Sequence, residues 1–244
     1  MPKTPNTSSS KARPLALVAA VAVAAALLGT VSYTATRPEP RTDTSRQEAA
    51  AGQQPDEATA RSVKLARRDA DDRLAQGRAD APVVLIEYAD FKCGYCGKFA
   101  RDTEPALVKK YVDAGVLRIE WRNFPIFGTE SEAAARAAWA AGQQGRFWQF
   151  HRAAYADGAK EKGFGADRLD ALAREAGVKD LGRFRTDRDG AAARAAVKED
   201  QAEAYGLGAT STPSFLVNGQ PIAGAQPDAV FEQAIETAKA QAAR

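Results

Sequence analysis

Two apolar patterns divide the chain. Near the N-terminus every residue from Leu15 to Val31 is apolar except Gly29 and Thr30. Lys3, Lys11 and Arg13 precede that run, with no acidic residue before Pro14. Its length lies between a signal-peptide core, roughly 7–15 residues, and a membrane span, roughly 17–25. The basic flank predicts a cytoplasmic tail over 1–13, a membrane anchor or signal segment over 14–33, and translocation of everything that follows. An uncleaved anchor is the expectation. A cleaved signal is the alternative, although Thr34-Ala35-Thr36 makes a poor small-residue cleavage site. Residues 34–60 carry almost nothing large and apolar, so they cannot bury enough surface to fold and predict a disordered linker. A helix-prone stretch from 58 to 76 follows, with Val63, Ala66, Ala70 and Leu74 as a thin apolar stripe. It predicts a lead-in helix lying on a folded domain over 61–244.

Inside that domain the pattern changes to short, dense apolar runs. Val83-Val84-Leu85-Ile86 is continuous and rich in β-branched residues, which predicts a strand buried on both faces. It ends at Asp90-Phe91-Lys92. Helical spacing runs from 98 to 112, with Pro105 placed to interrupt it. Leu117, Ile119 and Trp121 alternate with Arg118, Glu120 and Arg122, a second strand. Thr129 and Glu132 have the spacing of a capping box ahead of an alanine-rich helix. Further helices are expected near 147–155, 167–176 and 191–205. Between 128 and 208 there is no strand signal. Ser214 to Val217, the Asn218-Gly219 turn and Pro221 to Ala223 then predict a hairpin with a type I′ turn. A last helix enters through Pro227 and Asp228. Strands joined by helices and ending in an antiparallel pair predict an α/β domain with a mixed sheet covered on both faces.

Composition narrows the function. With 34 basic and 31 acidic residues the net charge is +3, too weak to argue for nucleic acid. There are two cysteines, Cys93 and Cys96, and one histidine, His151. A single C-x-x-C pair closes too small a loop to frame a domain of this size. It supplies at most half of a tetrahedral zinc site, and one methionine and one histidine leave few soft ligands to complete a metal centre. A redox pair fits better, with a copper-handling module as the alternative. At a strand-to-helix turn the first sulfur meets free N–H groups and the positive end of the helix, which favours its thiolate. Cys93 is therefore expected as the exposed nucleophile and Cys96 as the shielded, resolving thiol. Asp90 is expected in a turn or cap, His151 in packing or on the surface, and Trp121, Trp148 and Phe150 in the core.

The stretch from Ala81 to Cys96, reading APVVLIEYADFKCGYC, resembles the active-site strand and turn of DsbA-like thiol–disulfide oxidoreductases. Arg122-Asn-Phe-Pro125, Phe147-Trp-Gln-Phe-His151 and Thr210-Ser-Thr-Pro-Ser-Phe-Leu-Val-Asn-Gly219 resemble further segments of that family, in order, over roughly 77–244. The resemblance implies a thioredoxin-like fold with an inserted helical subdomain at about 128–208. It implies that Pro213 is the cis-proline facing the sulfurs, although only about 5–6% of X–Pro bonds are cis in general. It implies substrate-binding roles for Thr212 and Pro213, and for Glu87 a proton-accepting role beside the buried cysteine. Between the cysteines stand Gly94 and Tyr95, where strongly oxidising members carry Pro-His, so oxidant strength stays open. The expectations are a monomeric enzyme without cofactor that forms disulfides in reduced, exported proteins, with reduction or isomerisation as the alternative. Its reoxidant would be a membrane protein, quinone-linked or similar to vitamin K epoxide reductase.

Overall fold

The computed structural model describes residues 62–244. The expected tail, membrane segment and linker lie outside these residues. Among the described residues no helix is long and apolar enough to cross a membrane.

Five strands form one mixed sheet. They are β1 (Ala75–Gln76), β2 (Val83–Ala89), β3 (Leu117–Asn123), β4 (Ser214–Val217) and β5 (Gln220–Ala223), in the order β1-β3-β2-β4-β5. β2 pairs parallel with β3, and the other pairs are antiparallel. All seven residues of β2 are buried, as its unbroken apolar run predicts for a central strand.

The pleat sends alternate residues to opposite layers. Val83 and Leu85 pack with Phe99, Leu107, Phe231 and Ile235; Val84, Ile86 and Tyr88 pack with Phe124, Ala204 and Leu216. The first layer is built from a helical stretch after β2 and from the terminal helix. That stretch runs as α1 (Gly94–Lys98), a π-helical turn (Phe99–Thr103), α2 (Glu104–Leu107) and a second π-helical turn (Val108–Val112). Pro105 sits at the start of α2, where its missing N–H is tolerated, so the expected interruption is present. Between β3 and β4 lie α3 (Thr129–Gly142), α4 (Phe147–Ala154), α5 (Ala166–Glu175), α6 (Leu181–Asp189) and α7 (Ala191–Gly206). Ala134, Ala137, Ala138 and Ala141 of α3 are fully buried against Phe147, Phe150, Leu172 and Phe184. The terminal helix is α8 (Asp228–Ala242).

Several local expectations change. The lead-in helix is absent over 66–76, where the chain makes turns and then β1 on the edge of the sheet. Its stripe does not act as one face, since Leu74 is buried while Val63 is exposed. The capping box does not form: Gly128, at φ 88°, takes the cap position and Thr129 is already helical. Helix α6 carried no sequence signal because only Phe184 in it is buried. Asp180 starts it, its side chain accepting the Arg183 N–H at 2.8 Å. The hairpin is as expected, with Asn218 and Gly219 at φ 44° and 85°, the left-handed pair that a type I′ turn requires.

Candidate active site

The turn after β2 is held by Asp90. Its Oδ1 accepts the Lys92 N–H at 2.8 Å, and its Oδ2 accepts the Ile126 and Phe127 N–H groups at 2.7 and 3.1 Å. Asp90 is thus the turn residue its sequence context suggests, and it ties the start of α1 to the loop after β3. Cys93 caps α1: its sulfur accepts the Cys96 N–H at 3.3 Å. The Cys93 thiol donates to the Thr212 carbonyl at 3.2 Å, and the Thr212–Pro213 peptide bond is cis. The structure thereby brings Cys93, Cys96, Thr212 and Pro213 together.

Both cysteines are free thiols. Cys93 is not openly exposed as expected; 4% of its surface is accessible, against none for Cys96. The loop carrying Thr212 covers it, while Tyr95 between the two stands 69% exposed. Beside Cys93 a cleft of about 180 Å³ is lined by Gly94, Arg101, Tyr155, Asp157 and Lys160.

The two sulfurs are driven in opposite directions. Hydrogen bonding from Cys96 brings Cys93 down to about 6 against the opposing cost of burial, with help from the Thr212 side chain and from the Cys96 and Tyr95 backbone. Burial pushes Cys96 well above its ordinary value, and the neighbouring Cys93 raises it further. A thiolate at Cys93 beside a thiol at Cys96 is the pairing that exchange chemistry needs. Lys92 and Lys98 pair with Glu130 and Asp102 at 2.9 and 2.6 Å, so their charge is spent locally.

Glu87 lies fully buried beneath this turn, facing Trp121 on β3 and Phe215 on β4 across the sheet. Neither carboxyl oxygen has a hydrogen-bond partner among the described residues. Burial raises it well above the carboxylate range, and the charges of Glu104 and Cys93 add to that. Sequence reasoning missed Glu104. In a regular α-helix Thr103, seven residues after Cys96, would share its face. The π-helical turn adds a residue, and Glu104 is buried alongside Thr103, each 5% exposed. Only the break at Pro105 could have hinted at this. His151 and Trp121 are packed as expected, both fully buried, whereas Trp148 is half-buried.

A family model described as thioredoxin matches residues 69–237. The chain belongs to the thioredoxin family. Within that family it resembles a probable disulfide bond formation protein D from Bacillus cereus, 32% identical over 148 residues, covering 59% of this chain and 68% of that protein. It also resembles the Na(+)/H(+) antiporter NhaA 3 of Salinispora tropica, 37% identical over 161 residues, 62% of this chain but only 22% of that protein's length. The solved structure of oxidised BdbD from Bacillus subtilis superposes with TM-score 0.65 at 22% identity, covering 70% of this chain and 95% of that one. This thioredoxin-family domain thus shares its fold with the solved BdbD structure and is similar in sequence to disulfide bond formation protein D.

Proposed function

We propose that this thioredoxin-family chain is an extracytoplasmic thiol–disulfide oxidoreductase, tethered by its N-terminal apolar segment, that forms disulfides in reduced exported proteins. The observation that carries the chemistry is the split of the two thiols, Cys93 down to about 6 and Cys96 pushed up. The relative from Bacillus cereus, by its name a disulfide bond formation protein, supports the oxidising direction. In the disulfide form a substrate thiolate attacks the Cys93 sulfur, the Cys93–Cys96 bond breaks, and Cys96 departs as a thiolate that takes up a proton. A second substrate thiolate then attacks the substrate sulfur of the mixed disulfide. It forms the new substrate disulfide and releases Cys93 as a thiolate. Thr212, whose carbonyl accepts from the Cys93 thiol, and the adjoining Pro213 meet the extended substrate backbone. A membrane reoxidant, quinone-linked or similar to vitamin K epoxide reductase, restores the disulfide.

One observation keeps a second function in view. A thiolate at about 6 lies between the roughly 7 of thioredoxin and the roughly 3.5 of a strong oxidant. Since a more stable thiolate makes a stronger oxidant, reduction or isomerisation by the same pair is the alternative. The equilibrium potential against glutathione separates them. A value of about −120 to −180 mV fits an oxidase or isomerase, and about −270 mV a reductant. In either direction Cys93→Ala abolishes exchange, while Cys96→Ala accumulates mixed disulfides with substrate. A Cys96→Ala protein that traps nothing would contradict the assigned roles.

A further inference from the structure

On one side Cys93 is covered by the loop of Thr212; on another it opens into the cleft of about 180 Å³, none of whose walls comes from that loop. One wall is the connection between α4 and α5, where Gly158 and Gly163, at φ 69° and 68°, bracket Ala159-Lys160-Glu161-Lys162. Ala159 is buried and its N–H donates to the Ala156 carbonyl at 2.9 Å, while Phe164 is buried just beyond Gly163. The connection is thereby pinned at both ends, and a single 3-10 turn over Lys160–Lys162 sets Lys160 against the redox turn. A Cβ on Gly94 would come within 3.1 Å of Lys160 Nζ, closer than side chains normally pack. The missing side chain at Gly94, between the two cysteines, is what gives that ammonium its room.

The charged side chains lining the cleft are unequally engaged. Arg101 donates to the Tyr155 carbonyl at 2.7 Å, and its Nε pairs with Asp157 at 2.9 Å, so that cation and that anion answer each other. Lys160 meets only Glu161 among the described residues, at 3.9 Å, beyond hydrogen-bond reach. An ammonium carries three donors, and those of Lys160 stay unspent at the mouth of the cleft. A weakly engaged lysine is ordinarily just a solvated side chain. This one differs in its position, fixed against Gly94 beside the reacting sulfur.

We propose that Lys160 determines specificity by pairing with a carboxylate that the substrate carries close to its reacting cysteine, the cleft beside Gly94 receiving that side chain. The inference rests on the thiol–disulfide exchange proposed above. Thr212 and Pro213 meet main chain, which every substrate shares, and so cannot discriminate among substrates. Lys160 meets a side chain and can. Its single charge suits a carboxylate, whereas Asp157 and Glu161 on the same cleft repel an anion of higher charge, and Lys160 itself repels a basic residue.

The test uses the reduced 244-residue protein and short capped peptides whose single cysteine is joined by a disulfide to thionitrobenzoate. The Cys93 thiolate attacks the peptide sulfur, a protein–peptide disulfide forms, and thionitrobenzoate leaves as a coloured thiolate whose initial release gives the rate. Glutamate, glutamine or lysine flanks the peptide cysteine on both sides. The quantity read is the rate with the glutamate peptide over that with the glutamine peptide, in wild type and in Lys160→Gln. Both peptides meet the same Cys93, so a change in its own reactivity cancels from the ratio. The ratio is expected to fall about fivefold in Lys160→Gln, the upper end for an ion pair open to water, and that fall should shrink in about 1 M salt. Lys160→Glu should turn the preference toward the lysine peptide. Equal changes for all three peptides would place the effect of Lys160 on Cys93 or on the fold and overturn the subsite. So would a ratio that neither substitution moves. No thionitrobenzoate released by the wild type from any peptide would instead overturn the exchange chemistry itself.

Discussion

His151 shows how far one residue's identity is from its role. A lone histidine in a redox protein suggests a base, yet here the ring is fully buried among Phe91, Trp121, Phe147, Trp148 and Tyr155. Burial and the Arg152 charge drop it from 6.5 to about 3, so at neutral pH it is an uncharged aromatic. The consequence for stability has a definite sign. Between about 3 and 6.5 the unfolded chain binds a proton at this position and the folded one does not, so folding weakens as pH falls through that window. Glu104 works the other way: raised from 4.5 to about 7, it contributes stability at low pH that is lost as pH rises toward 7. The two overlap, and wild-type melting alone blends them. His151→Phe should therefore remove the acid-side loss and leave the loss above it, as denaturant titrations across pH 3 to 7 would reveal. Equal acid slopes in wild type and variant would show that His151 is protonated in the folded state.

Among the elements, β3 departs most from its apparent pattern. Alternating Arg118, Glu120 and Arg122 look like the solvent face of a half-buried strand, yet all three are buried. Glu120 accepts from Arg118 Nε and an Arg122 terminal nitrogen, each at 2.9 Å, and from the Arg67 and Arg68 N–H groups at 2.9 and 2.8 Å. Burial pushes its carboxyl up, but Arg118 and these other donors overcome that and hold it below its ordinary value. Glu120→Ala leaves two buried guanidiniums short of their anion, which should cost about 3–5 kcal/mol in a denaturation experiment. Because Glu120 faces the layer away from the sulfurs, the reactivity of Cys93 toward Ellman's disulfide should not change. Legibility follows the same physics. β2, the hairpin and the alanine helix α3 could be read because apolar burial repeats at a regular period. The buried charges of β3, the polar helix α6 and the edge strand β1 could not, because partners distant in sequence satisfy them. In the site, Cys93, Cys96, Thr212 and Pro213 lie on recognisable turns, whereas Glu104 arrives through a π-helical turn that breaks the period on which pattern reading depends.

At the scale of the whole molecule, the redox state of one pair becomes a property of the fold. In the reduced protein Cys93 has a depressed value of about 6, against 9.0 for an unperturbed thiol. A group depressed in this way adds stability that is complete above the unfolded value and is lost as pH falls through the folded one. The disulfide form has no such group. Cys96, pushed upward by burial, begins to oppose the effect only above about 9. The difference in pH dependence between the two forms thus comes from Cys93 between about 6 and 9, and it is also what sets the oxidising power of the pair. A protein that is more stable reduced than oxidised drives electrons out of its substrates. Melting temperatures of the two redox forms should therefore diverge in favour of the reduced one as pH rises from about 6 toward 9. Below about 6 their difference should stop changing from this cause. A constant difference across that range would mean that the Cys93 thiolate is not stabilised by the fold. The proposed oxidising direction would then lose its physical basis, whatever the likeness to disulfide bond formation protein D.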